Sequence, residues 1–246
     1  MFRPRVIPVL LLRDLGLVKT TRFNKKKYIG DPINAVKIFN ALKADEIILL
    51  DISATANKKS IPINFVLEVG EEAFMPFAVG GGISTLLDAE ECIKNGAEKI
   101  VLDTHAIINP NLISECSKIF GQQSVVVAID IKKNIFGGYF VYRNSGRKKT
   151  KLSPTDWAKR AEELGAGEIL INDINNDGVM NGYNLDLIKI ISESVSIPVI
   201  ACGGAGKLND FQLAINSGAH AVAAGSLFVY QGSRRGVLIN YPSHQE

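Results

Sequence analysis

Two nine-residue stretches, Ala44-Asp-Glu-Ile-Ile-Leu-Leu-Asp51-Ile and Ala166-Gly-Glu-Ile-Leu-Ile-Asn-Asp173-Ile, align at an offset of 122 residues. Each reads as a small turn, a glutamate, three or four apolar residues and a terminal Asp. The offset recurs: Val79-Gly-Gly-Gly82 falls on Ala201-Cys-Gly-Gly204, Ile93-Lys-Asn-Gly-Ala97 on Ile215-Asn-Ser-Gly-Ala219, and Asp103-Thr104 on Gly225-Ser226. Self-similarity at one fixed period marks a repeated architecture, and the period is close to half of the 246 residues.

Working outward, short β-rich apolar runs at residues 6–12, 46–50, 76–79, 99–102, 124–129, 168–171, 198–201 and 220–224 alternate with helical stretches. Eight strands alternating with helices in about 250 residues predict an α/β chain folded as one (β/α)₈ TIM barrel over 1–246, with duplicated half-barrels of about 1–122 and 123–246. Asp31-Pro32, Asn109-Pro110 and Ser153-Pro154 each read as a helix cap followed by a first-turn proline. Residues 132–141, split by Gly137-Gly138, read as an inserted hairpin, and residues 13–30 as a long lid loop whose Lys25-Lys26-Lys27 form a solvated face.

The chain is 46% hydrophobic and 22% charged, with 22 glycines spread along its length, which excludes wholesale disorder and collagen-like repeats. A net charge of +3 lacks the basic footprint of a nucleic-acid binder, so an anionic partner needs a local site. Cys92, Cys116 and Cys202 form no metal-ligand spacing with His105, His220 and His244, so no metal or other cofactor is expected and the thiols read as reduced core residues. The apolar run at 6–12 is too short for a membrane span or secretion signal, giving a cytoplasmic expectation.

Candidate chemistry concentrates at strand ends, where barrel sites lie. Each half ends one strand in glycines (Gly80-Gly81-Gly82; Gly203-Gly204) and the next in a small polar pair (Asp103-Thr104; Gly225-Ser226). Glycine admits backbone N–H groups close to an anion, and the duplicated clusters suit a ligand with a phosphate at each end; tight turns are the alternative. Asp51, Asp130 and Asp173 end strands and are candidate acid/base groups or loop anchors, and Asp177-Gly178 caps a turn or binds ligand. Lys19 is placed to reach an anion. At the opposite strand ends Arg5, Glu46, Lys99 and Glu168 form a candidate ring, either a structural ion-pair clasp or a regulated opening.

These residues, with Ile7-Pro8, Gly30-Asp31-Pro32, Gly165-Ala-Gly-Glu-Ile169, Gly182-Tyr183 and Gly203-Gly-Ala-Gly206, closely resemble the cyclase subunit of imidazole glycerol phosphate synthase over about residues 3–228. The resemblance implies a lyase/cyclase-type synthase subunit of a glutamine amidotransferase, forming a heterodimer with a glutaminase and taking ammonia through the barrel to a bisphosphorylated ribotide. It makes Asp130 the acid/base carboxylate and Lys19 a lid residue touching substrate. It gives Gly82 and Thr104 one phosphate, and Asp177, Gly178, Gly204, Gly225 and Ser226 the other; Asp51 lies in the substrate site. Arg5, Glu46, Lys99 and Glu168 match the ammonia gate, and Glu98 faces the glutaminase. The chain has no Gly-x-Cys-x-Gly nucleophile elbow of its own, in keeping with a separate ammonia source.

Three positions depart from the family pattern. Leu11 stands where the second catalytic carboxylate is expected, and losing such a group forfeits about 10²- to 10⁴-fold in rate. Asp103 replaces an asparagine beside a phosphate, where like charges about 4 Å apart repel by roughly 4 kcal/mol at an effective dielectric near 20. Residues 230–242, from Tyr230 through Ser233 to Pro242, replace a final helix and resemble second-copy subunits of surface-polysaccharide pathways. Those subunits work with a glutaminase and a sugar amidotransferase on a phosphorylated or nucleotide-linked sugar to make an acetamidino sugar. A histidine-pathway cyclase and a non-catalytic ammonia conduit are the competing expectations, with a phosphoribosyl isomerase a weaker third.

Overall fold

The computed structural model describes residues 3–232 and 234–242, so Ser233 and His244 lie outside the described residues. The elements run β1 (Arg5–Arg13), β2 (Gly16–Thr21), β3 (Asn24–Gly30), α1 (Pro32–Ala41), β4 (Ile47–Asp51), α2 (Ile63–Glu72), β5 (Phe77–Gly80), α3 (Leu86–Lys94) and β6 (Lys99–Leu102). They continue with α4 (Thr104–Ile108), α5 (Asn111–Phe120), β7 (Val125–Lys133), β8 (Tyr139–Arg143), β9 (Lys148–Lys149), α6 (Pro154–Glu163) and β10 (Glu168–Asp173). The chain finishes with α7 (Leu185–Ser192), β11 (Val199–Cys202), α8 (Leu208–Asn216), β12 (Ala221–Ala224), α9 (Ser226–Val229), β13 (Tyr230–Gln231) and β14 (Gly236–Val237). β1, β4, β5, β6, β7, β10, β11 and β12 are parallel neighbours in that order, and β12 pairs back onto β1, closing a (β/α)₈ barrel.

Every barrel strand is buried on both faces, which is why the runs read as continuous apolar sequence. Outward residues such as Val125, Val127 and Ile129 pack under the helices, while Ile7, Val9, Ile48, Ala78, Val101, Val126, Ala128, Leu170 and Ile200 form a separate inner cluster. Side chains alternate along a strand, so one inward row carries Lys99, Val101 and Asp103, another Glu168, Leu170 and Asn172, and a third Arg5, Ile7, Val9 and Leu11. The same rows that start in charges therefore end at the mouth.

Local chemistry sets the helix starts. Asp31 and Ser153 accept hydrogen bonds from the backbone of Asn34 and Asp156 ahead of Pro32 and Pro154, as expected. The Asn109-Pro110 reading is corrected: Asn109 ends α4, and Pro110 itself precedes α5 without a side-chain cap. The expected lid loop at 13–30 is an antiparallel hairpin of β2 and β3 continuing β1, because backbone pairing with β2 holds a β3 that is largely exposed. The 132–141 hairpin forms as β7 runs past the barrel and pairs Lys133 with Tyr139 and Asp130 with Tyr142.

After β13 and β14 the chain follows the barrel side. Tyr241 packs on Phe228 and Phe39, and its hydroxyl donates to Val6 O (2.8 Å) and accepts from Asp45 N (3.1 Å). No helix of the described residues is long and apolar enough to cross a membrane.

Candidate functional site

The four strand-start charges meet. The Arg5 guanidinium bridges Glu46 and Glu168, while Lys99 Nζ lies 3.0 Å from Glu46 Oε1 and 3.1 Å from Glu168 Oε2. Cation and anion alternate around the barrel axis, and Glu46 is almost fully buried. Burying these charges is tolerable only because each carboxylate is doubly paired. Glu98 stands exposed beside Lys99 on this face.

At the other end the strands open into a mouth lined by Leu11, Lys19, Asp51, Gly82, Asp103, Thr104, Asp130, Asp177, Gly178, Gly204, Gly225 and Ser226, among others. Gly82 and Gly204 thus share one mouth. Asp130, 8% exposed, ends the inward row of β7, with Asn172 Nδ2 3.5 Å away. Burial and the charges of Asp103 and Asp177 hold its carboxyl well above the ordinary range. Leu11 and Leu50, paired across β1 and β4, present only apolar surface to the same space.

The two glycine clusters differ. Burial pushes the Asp103 carboxyl up to about 6; its Oδ2 accepts from the Thr104 hydroxyl (3.0 Å), and its buried Oδ1 has no partner among the described residues. Thr104 Oγ1 in turn accepts from Asn144 N (2.9 Å), so this hydroxyl is committed within the protein. At Gly82 a Cβ would stand 1.9 Å from Lys59 O, which by itself requires glycine there.

Across the mouth, Ser226 is buried at the start of α9 and Lys19 lies against Gly225, where a Cβ would meet its Nζ at 2.3 Å. Lys19 is 3% exposed on β2, so it is a wall residue rather than part of a loop; its Nζ donates to Val9 O (2.5 Å). Burial lowers its ammonium to about 8 against the pull of Asp177. Asp177 accepts from Thr20 Oγ1 (2.9 Å) and Phe23 N (3.4 Å), fastening its loop to the hairpin, and burial raises its carboxyl. The glycines at 178 and 204 are also demanded by packing: a Cβ would stand 2.1 Å from Thr20 O and 2.2 Å from Gly182 O.

Asp51 accepts from Ser53 N, Ser53 Oγ and Ala54 N at 2.7–3.1 Å, which makes it a turn anchor at the mouth's edge. Asp173 accepts from Asn175 N, Asn176 Nδ2 and Asn184 Nδ2 at 2.9–3.1 Å and takes no part in lining the mouth. Cys202, expected in the core with Cys92 and Cys116, lines the mouth instead. No group of three or more His, Cys, Asp or Glu side chains among the described residues could hold a metal ion.

Sequence reasoning missed Asn172, Ser145 and Arg147 in the lining and Arg235, which bonds to the lining residue Gly178, and it left Lys26 on a solvated face although Lys26 lines the mouth. Asn172 was discoverable by counting in twos from Glu168. Arg235, whose guanidinium donates to Gly178 O and Val179 O (3.2 Å each), carries no local signal.

A closed barrel with a charge ring at one end and a carboxylate-bearing, glycine-rimmed mouth at the other defines the class, and the histidine biosynthesis protein family profile matches residues 5–234: the chain belongs to that family. It is 48% identical over 243 residues to a candidate imidazole glycerol phosphate synthase subunit hisF2 of Pseudomonas aeruginosa, covering 98% of this chain and 97% of that one. A candidate HisF subunit of Leptospira interrogans is 47% identical over 248 residues (100% and 98% covered), and the HisF subunit of Alkaliphilus metalliredigens 44% over 231 residues (94% and 92%). Within the family the chain is a HisF-type subunit.

Proposed function

We propose that this HisF-type chain is a synthase subunit of a glutamine amidotransferase. A separate glutaminase docks on the strand-start face near Glu98, and ammonia passes the ring of Arg5, Glu46, Lys99 and Glu168 into the barrel interior. The observation that carries the reading is the coaxial order of ring, apolar rows and mouth. Apolar rows containing Ala78, Ala128, Ala221 and Ala223 admit small neutral ammonia and penalise ammonium, whose burial without partners is costly. At the mouth a phosphate lies against Gly204, Gly225 and Ser226 beside the Lys19 ammonium, and Asp130 exchanges protons with the bound ligand.

The acceptor we favour is an acetamido sugar, held with a sugar amidotransferase and converted to an acetamidino sugar for surface polysaccharide. Leu11 and Asp103 support this over imidazole glycerol phosphate formation, because ring closure needs one group to protonate and another to remove protons, and Leu11 does neither. The histidine-pathway cyclase keeps one observation in its favour: Asp130 lines the mouth with its carboxyl held by burial above the ordinary range, as suits an acid/base group.

The test is Lys99→Ala in the assembled complex, comparing glutamine-driven with ammonium-driven product formation. The glutamine-driven rate should fall about tenfold, the size of one lost charge-assisted contact, while the ammonium-driven rate holds. Equal falls that follow thermal stability would leave the ring a clasp only.

A further inference from the structure

The two hairpins above the barrel hold a charge that the whole-chain balance conceals. Residues 13–30 and 131–151 contain 13 of the 28 lysines and arginines and 1 of the 25 acidic residues, leaving the rest of the chain net negative. Their turns meet over the mouth: Phe23 Cδ2 lies 3.0 Å from where a Cβ on Gly146 would stand. The β8–β9 turn also reaches the far side, with Asn144 N donating to Thr104 Oγ1 (2.9 Å) and Ser145 Oγ to Ile52 O (3.4 Å).

Several of these cations are occupied. Lys27 lies over the Tyr230 ring, Lys132 and Lys133 over Tyr142 and Tyr139, and Arg13 pairs with Asp14. Lys26 and Arg147 differ, because both line the mouth and neither has a carboxylate within ion-pair distance among the described residues. Desolvation, and after it the charges of Arg13 and Arg147, lower the Lys26 ammonium against the pull of Asp14. Such mutual repulsion is relieved by an anion, and Arg offers a forked donor that matches phosphate. Below this lip, Thr104 is committed to Asp103 and the Asp103 carboxylate opposes any anion beside Gly82.

We propose that a ligand spanning the mouth places its second phosphate or diphosphate group on Lys26 and Arg147 at the lip, not on Gly82 and Thr104. This rests on the reading of the mouth as the substrate face, with the first phosphate at Gly204, Gly225 and Ser226. The ligand class is a small molecule with phosphoryl groups at two points, either a sugar bisphosphate or a nucleoside diphosphate derivative.

Calorimetric titration of the isolated chain with inorganic pyrophosphate tests the lip without any ammonia transfer, so failure of the functional reading and failure of this proposal are separable. Lys26→Gln with Arg147→Gln, both at exposed positions, should weaken binding about a hundredfold, at about tenfold for each charge-assisted contact. Lys37→Gln, on α1 and outside the mouth lining, should leave it unchanged. A double variant that keeps wild-type affinity overturns the proposal, as does an Asp103→Asn variant that binds about tenfold more tightly whether or not the lip cations are present. Parallel titration with ribose 1,5-bisphosphate and uridine diphosphate identifies the source, which is the ligand whose tighter binding disappears in the double variant.

Discussion

Replacing Asp103 with asparagine removes a carboxylate that the barrel end buries without an ion pair among the described residues. A carboxyl held near 6 instead of the ordinary 3.8 costs the folded chain about 3 kcal/mol once the pH exceeds the upper value, at about 1.4 kcal/mol for each pH unit. The folded state binds this proton more tightly than the unfolded state, so wild-type stability from this group falls as pH rises from about 4 to about 6 and is flat on either side. Asparagine keeps an acceptor for the Thr104 hydroxyl, but its amide nitrogen then stands where Oδ1 lacks a partner, a cost of about 1 kcal/mol. The expected net effect is a gain of about 2 kcal/mol at neutral pH that turns into a loss of up to about 1 kcal/mol near pH 4. Urea titrations of both proteins at the two pH values measure this, provided the m-values agree. A variant less stable at neutral pH, or a difference independent of pH, would refute the reasoning by showing that a cation reaches Asp103 in solution. A second signature is a fall in the Asp130 carboxyl, which the Asp103 charge helps to raise.

Two further outcomes are expected. Leu11→Asp combined with Asp103→Asn should raise histidine-pathway cyclase activity by about 10²-fold or more by restoring a second acid/base group; a wild-type rate equal to that of an established cyclase would favour the histidine-pathway reading. Gly204→Ala forces a Cβ to 2.2 Å from Gly182 O at φ +125°, so it should cost about 2 kcal/mol or more and lower Tm by roughly 4 °C or more; a Tm unchanged in a thermal melt would show that the loop yields freely.

The barrel was legible in the sequence because its signals are local and periodic. The 122-residue offset, the apolar runs and the caps at Asp31 and Ser153 depend on neighbours within a few positions. Alternation along a strand then carried Arg5, Glu46, Lys99 and Glu168 to one end and Asp130 to the other, since every second residue must face the axis. What each side chain touches was decided only by closure of the fold. Residues 13–30 carry too little apolar alternation to announce a hairpin, and pairing with β1 supplies it. Asp173 is drawn into hydrogen bonds with Asn175, Asn176 and Asn184, away from the mouth, while Lys19 is buried against Gly225 on the far side of a strand. Asn144 reaches Thr104 across 40 residues and Tyr241 reaches Val6 across 235. The sequence determined which faces are apolar and where the strands end; the closed barrel determined which distant polar groups satisfy one another and which, at Asp103, Lys26 and Arg147, make no ion pair among the described residues, because burial and pairing between remote residues exist only after the strands have met.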